Sequence, residues 1–218
     1  MPWTDVDHLS RSAPLPDGYH YELLKYDAIP AVVQAFASWY PNIAVGNASC
    51  HLRESFYIDK VVLDGGEPER DFFVVLFKKD HELVGVLSVE RDTDSEVLYG
   101  RVFAVSPQHR GLNLSERIPG LIETMGRAMG MGMVYALATL KVPFMAEKFE
   151  LLGWQLIGII PGFDREMVEP GVIKRVYEAI YAKVLVDEKD FVLPRRSTMT
   201  PKTAALFDLL YPGKVDAT

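Results

Sequence analysis

A chain of 218 residues is long enough for one substantial core and short for two full domains. Its net charge of −7, with both signs interspersed, lacks the dominant basic face that a nucleic acid requires. The only cysteine, Cys50, precludes an intramolecular disulfide, and the longest apolar stretch, residues 131–140, falls well short of the roughly 18 residues that span a bilayer. Residues 1–7 carry neither the positive charge nor the apolar run of a signal peptide, so the expected location is the cytoplasm, with no membrane or nucleic-acid partner.

Residues 1–18 are polar and proline-containing and read as a loose lead-in. Residues 19–26 read as a strand. Asp27 is placed to cap a helix with Pro30 in its first turn and Val32, Val33, Ala35, Phe36 and Trp39 on one stripe. The segment 43–70 fits no single element, apart from an Asp64-Gly65-Gly66 turn. Residues 71–77, 82–91 and 96–105 then form an antiparallel meander with polar turns, Leu83, Gly85, Leu87 and Val89 sharing one side of its second strand.

The period changes after residue 113. Leu114, Ile118, Leu121, Ile122, Met125 and Met129 form a helical stripe, in which Pro119 must either kink the helix or sit in its first turns. Residues 133–140 are continuously apolar, which predicts a strand buried on both faces. Residues 143–152 read as a short helix ended by Gly153. Residues 154–160 and 173–186 read as strands around a polar loop, 161–171. In the tail, Thr200 and Pro201 open a helix carrying Leu206, Leu209 and Leu210. The order defines a mixed α/β (α+β) domain over 19–186, followed by a tail, 187–218.

The segment 103–115 runs from a strand through a glycine-containing loop into a helix. Such a joint presents unpaired N–H groups at the positive end of a helix dipole, a ready site for a pyrophosphate, although plain surface connections share this pattern. The segment resembles the acetyl-CoA signature of the Gcn5-related N-acetyltransferase (GNAT) superfamily: a strand ending in Val-x-Pro, then Arg/Gln-x-x-Gly-x-Gly/Ala. Two registers fit, one starting at Gln108 and one at Arg110. The second matches the helix pattern better and puts Asn113 and Ser115 where the family has small residues, mostly glycine; Asn tolerates a positive φ better than most residues. Glu147-Lys148-Phe149-Glu150-Leu151-Leu152-Gly153-Trp154 resembles a second family pattern, Tyr-Glu-Lys-Leu-Gly-Phe, and the element order agrees over residues 19–186.

That resemblance implies a mostly antiparallel central sheet with splayed middle strands flanked by helices. It implies acetyl-CoA or another acyl-CoA as co-substrate, no metal, and a small-molecule amine as acceptor, attacked directly. The pyrophosphate would lie at Arg110, Gly111, Leu112, Asn113, Leu114 and Ser115, and the pantetheine beside Phe103, Ala104 and Val105. Phe149 stands where the family often has the Tyr that protonates the leaving thiolate, and Val142 where it has an Asn. Phe149 has no proton to give. The alternatives are a longer acyl-CoA or acyl carrier protein as donor, and an acyl-CoA-binding module without turnover. Family members often pair, which makes a homodimer an expectation.

Tyr99 and Arg101 lie two apart on the third meander strand, and simple alternation places both on the Phe103 face. The resemblance puts this strand beside the thioester, which makes Tyr99 and Arg101 the catalytic candidates. A solvated outer face with a snorkelling Arg101 is the plain alternative. A guanidinium in the gap needs a partner, either Glu90 or an acidic group carried by the acceptor. Glu90, Glu96, His81, His109 and the segment Asp164-Arg165-Glu166 read as exposed polar groups; the alternatives are a water-relayed base at Glu90 or Glu96, a phosphate contact at His109 and an acceptor-pocket fringe at 164–166. The methionines at 125, 129, 131 and 133 read as core. No metal-ligand spacing, Walker A, His-Glu-x-x-His or Gly-x-Ser-x-Gly pattern is present.

Overall fold

The computed structural model describes residues 2–214. They fall into two compact units, one running to Leu185 and one starting at Val186. The first begins with a helix where a loose lead-in was expected. The Asp5 side chain accepts a hydrogen bond from the His8 N–H, capping α1 (Val6–Ser12). Leu9 is fully buried, and Trp3 stacks on Phe73 with ring centroids 4.9 Å apart. The signal was a short cap-and-anchor pattern, too brief for a periodicity argument.

Next come β1 (Tyr19–Leu23), α2 (Ile29–Trp39), α3 (Glu54–Lys60) and a two-residue β2 (Val61–Val62). Asp27 does not cap α2; it sits in a 3-10 turn that runs straight into that helix. The meander is β3 (Phe72–Lys79), β4 (Glu82–Asp92) and β5 (Val97–Val105). Then follow α4 (Ile118–Ala128), with Pro119 in its first turn, β6 (Met133–Thr139), α5 (Phe144–Leu151), β7 (Gln155–Glu169) and β8 (Val172–Val184). The expected loop 161–171 is mostly strand. β7 and β8 make one long hairpin, and a pairing irregularity between Ile160 and Asp164 absorbs Pro161 and Gly162.

The sheet has eight strands in the order β1-β3-β4-β5-β6-β8-β7, with β2 also pairing β3. Helices cover both faces. One core gathers Leu9, the α4 stripe and Phe149; the other gathers Val32 and Phe36 of α2 with Phe56 and Tyr57 of α3. Each fully buried side chain of this kind contributes about 1.5–3 kcal/mol.

Two bulges correct the simple alternation. Near Phe77 and Lys78, a bulge puts Val84 with Leu87 and Val89 in the first core and Leu83 with Val86 in the second. In β5, Ser88 pairs Val102 and Val89 pairs Gly100, so Arg101 is the extra residue. β6 alternates, with Val134, Ala136 and Ala138 buried and the residues between them half-buried, where burial on both faces was expected.

β5 and β6 run parallel and pair only from Val97 with Met133 to Gly100 with Ala136. Beyond that point β5 stays with β4 and β6 stays with β8, so the two middle strands part. The second unit holds α6 (Pro201–Leu210), opened by the expected Thr200 cap in a reciprocal box with Thr203.

Candidate active site

The parting of β5 and β6 leaves a cavity of about 390 Å³. On the α4 side its walls include Phe103, Ser115, Ile118, Met145 and Phe149. On the other side they include Asn47, Tyr99, Arg101, Asp164, Glu166 and Glu178. The lining thus runs from one sheet face to the other through the gap.

The β5 bulge divides the residues that alternation had grouped. Phe103 and Val105 pack toward the α4 core, while Val102 and Ala104 pack toward the α2 core. Tyr99 and Arg101 do share a face, and Phe103 is on the opposite one. Arg101 lies 5.2 Å over the Tyr99 ring. Its guanidinium donates to Glu90 Oε2 at 3.0 Å and to Asn47 Oδ1 at 2.8 Å. Glu90 is thus an internal carboxylate that pairs with Arg101.

Asn47 is the centre of a strap. Its N–H donates to Asp164 Oδ1 at 2.6 Å, and its side-chain amide reaches the Tyr99 hydroxyl at 3.4 Å. Gly46 next to it has φ 87° and ψ −164°, a conformation closed to other residues. A Cβ there would overlap the Arg165 carbonyl and the Asp164 carboxylate. The strap therefore ties β5 to β7 across the gap. An outer groove of about 700 Å³, lined by Arg53, Lys60, Arg70 and Phe72 among others, shares Asn47 and Arg101 with the cavity.

Glu178 is the group that sequence reasoning missed. It sits on β8 opposite Thr139 of β6, and is only 7% exposed. No donor among the described residues bonds to its carboxylate. Burial first, and then the negative charges of Asp164 and Glu166, push its pKa up to about 7, against a smaller opposing pull from Lys141. Glu166 pairs with Lys141. Asp164 Oδ1 also accepts the Arg165 N–H at 2.7 Å. Burial raises the Tyr99 pKa, so its hydroxyl keeps its proton and stays a donor.

On the other face the loop after β5 leaves backbone N–H groups open. The N–H groups of Gly111, Leu112 and Asn113 have no backbone acceptor among the described residues. Gly111 and Asn113 both have positive φ, 80° and 60°, and nothing crowds the Gly111 Cβ position. The side chains behave differently. Arg110 turns away, donating to the Trp39 carbonyl at 2.9 Å and lying 5.2 Å over the Tyr40 ring. Leu114 is buried in the core and Leu112 is half exposed. Phe149 is buried between Trp154 and Tyr181. His109, expected at the surface, is buried and 2.9 Å from the Tyr19 hydroxyl. Among the described residues, no His, Cys, Asp and Glu group is placed to hold a metal ion.

No protein-family model matches the chain, and no curated protein does. Solved structures do. A spermidine N-acetyltransferase from Vibrio cholerae, a dodecamer, superposes with TM-score 0.59 at 9% identity, over 78% of this chain and 95% of its own. The ribosomal-protein-S5-alanine acetyltransferase of Vibrio fischeri gives 0.58 at 11%, over 79% and 96%. A Salmonella typhimurium protein described as an acetyltransferase, solved with its cofactor acetyl-CoA, gives 0.55 at 15%, over 80% and 98%. The chain has the GNAT acetyltransferase fold. At these identities the likeness is one of fold.

Proposed function

We propose that this chain is an acyl-CoA-dependent N-acyltransferase, with acetyl-CoA as the donor and a small-molecule amine as the acceptor. The observation that carries the reading is the cavity through the parted strands. On one side it reaches Ser115, just past a loop of unpaired N–H groups, and on the other Glu178, a buried carboxylate whose pKa is pushed up to about 7. Gly111, Leu112 and Asn113 would hold the pyrophosphate through their N–H groups. The unpaired edge of β5 beyond Gly100 would run beside the pantetheine, at Phe103, Ala104 and Val105.

In the reaction the acceptor nitrogen attacks the thioester carbon, the C–N bond forms and the C–S bond breaks. Glu178 takes the proton that the nitrogen loses. A base with a pKa near 7 suits this task at neutral pH. Tyr99 offers its hydroxyl to the reacting groups, and Arg101 acts as a positioning residue by fastening the strap. The leaving thiolate departs as such, because Phe149 has no proton and a thiol pKa of about 8.5 makes thiolate a tolerable leaving group. Release of free thiol from acetyl-CoA across an amine panel tests the reading. Tight CoA binding with no release for any amine would instead support a binding module.

A further inference from the structure

Resting on that reading, we infer that the acceptor is a linear amine with a second cationic group, its far charge lying near Asp164 and Glu166 while its reacting nitrogen faces Glu178. Three carboxylates line the acceptor side of the cavity. Lys141, paired with Glu166, is the cation that offsets them. Arg101 adds no free charge, because Glu90 and Asn47 already occupy its guanidinium. Glu178 itself is buried, lines the cavity and has no donor among the described residues. A buried carboxylate without a protein donor is costly unless water or a ligand in the cavity supplies one.

The other walls fit the stem of such a molecule. Tyr99 and Phe163 also line the cavity and offer aromatic surface to methylene groups and to an ammonium. The strap holds Asp164 in place through the Asn47 N–H, so the acidic wall is fixed before any acceptor arrives. An acceptor carrying a carboxylate or phosphate, one of the two pairings left open for Arg101, would instead meet Asp164, the Lys141-paired Glu166 and a partly ionised Glu178.

A second cation also prepares the base. The charged and titratable groups that act on Glu178 are Asp164 and Glu166 from β7 and Lys141 from the loop before α5; Tyr99 of β5 also couples to it. Asp164 and Glu166 favour the protonated form of Glu178. A bound ammonium beside them opposes that effect, so more of Glu178 is ionised when the acceptor is in place.

The test is calorimetric titration of the CoA-loaded protein with linear α,ω-diamines of three to six carbons, the matching monoamines and the matching ω-amino acids. The best diamine should bind at least about tenfold tighter than its monoamine, and the amino acids weaker than either. Glu166→Gln should narrow the diamine's lead. Lys141→Gln, which unmasks Glu166, should widen it, a gain that a merely damaged fold would not produce. A monoamine or an amino acid binding as tightly as the diamine overturns the inference, and thiol release with those acceptors would leave acyl transfer standing. A clear diamine preference without thiol release supports the cation site and removes the acyl-transfer reading alone.

Discussion

A carboxyl group that loses its hydration without gaining a donor holds its proton more tightly, and Glu178 illustrates both consequences. The first is kinetic. With Glu178 as the proposed base, the amine proton requires its ionised form, so kcat/KM should fall as pH drops through about 7. Glu178→Gln should cost about 10²–10⁴ in kcat and leave CoA affinity unchanged. The second concerns stability. In the unfolded chain this carboxyl ionises near 4.5, and in the folded chain near 7. Below that window both states are protonated and the group is neutral to folding. As pH rises through the window the unfolded state loses its proton first, so stability falls. Glu178→Gln should therefore raise Tm at pH 8 and leave it unchanged at pH 4, in thermal unfolding followed by circular dichroism. An unchanged Tm at pH 8 would mean that the carboxylate is better solvated than its burial indicates.

The strap and the phosphate-side loop are the elements through which the fold shapes the site. Gly46→Ala has no room for its methyl and needs a backbone conformation that costs about 1–3 kcal/mol. It should raise the acceptor's KM and spare CoA affinity, as steady-state kinetics with either substrate varied would show. The loop predicts the reverse pattern. Gly111→Val forces a β-branched residue to φ 80° and should weaken CoA. Arg110→Ala should lower stability by about 0.5–1.5 kcal/mol through the lost Trp39 bond and change CoA affinity little. The meander, the strand–loop–helix joint and the capped tail helix were legible because each rests on local periodicity or on a capping residue. The faces of Val84 and Phe103 were not, since a bulge is a property of paired strands and leaves no mark on one strand. Glu178 was hidden for a related reason. Only the pairing of β8 with β6 brings it to the gap, and the polar run at 161–171 disguised the hairpin that sets this register.

Across the whole molecule, an excess of acidic charge coincides with an acidic acceptor side. The net charge of −7 and the carboxylates of the cavity attract cations over a distance set by salt. Raising ionic strength from about 0.01 M to about 0.15 M shortens the screening length from about 30 Å to about 8 Å. The KM of a cationic acceptor should rise over this range more steeply than that of a neutral one. The eight-stranded sheet supplies the rigid frame, and the single place where its middle strands part connects the loop face to the carboxylate face. On the proposed reading an acyl group passes from CoA to an amine at this parting, and Glu178 takes the proton. The most direct test is the rate of free-thiol release from acetyl-CoA, with amines present and absent, for the native chain and for Glu178→Gln. Amine-dependent release by the native chain should fall at least about a hundredfold in the variant while CoA still binds. Release that is equal in the two proteins, or absent from the native chain with every amine, would contradict that reading.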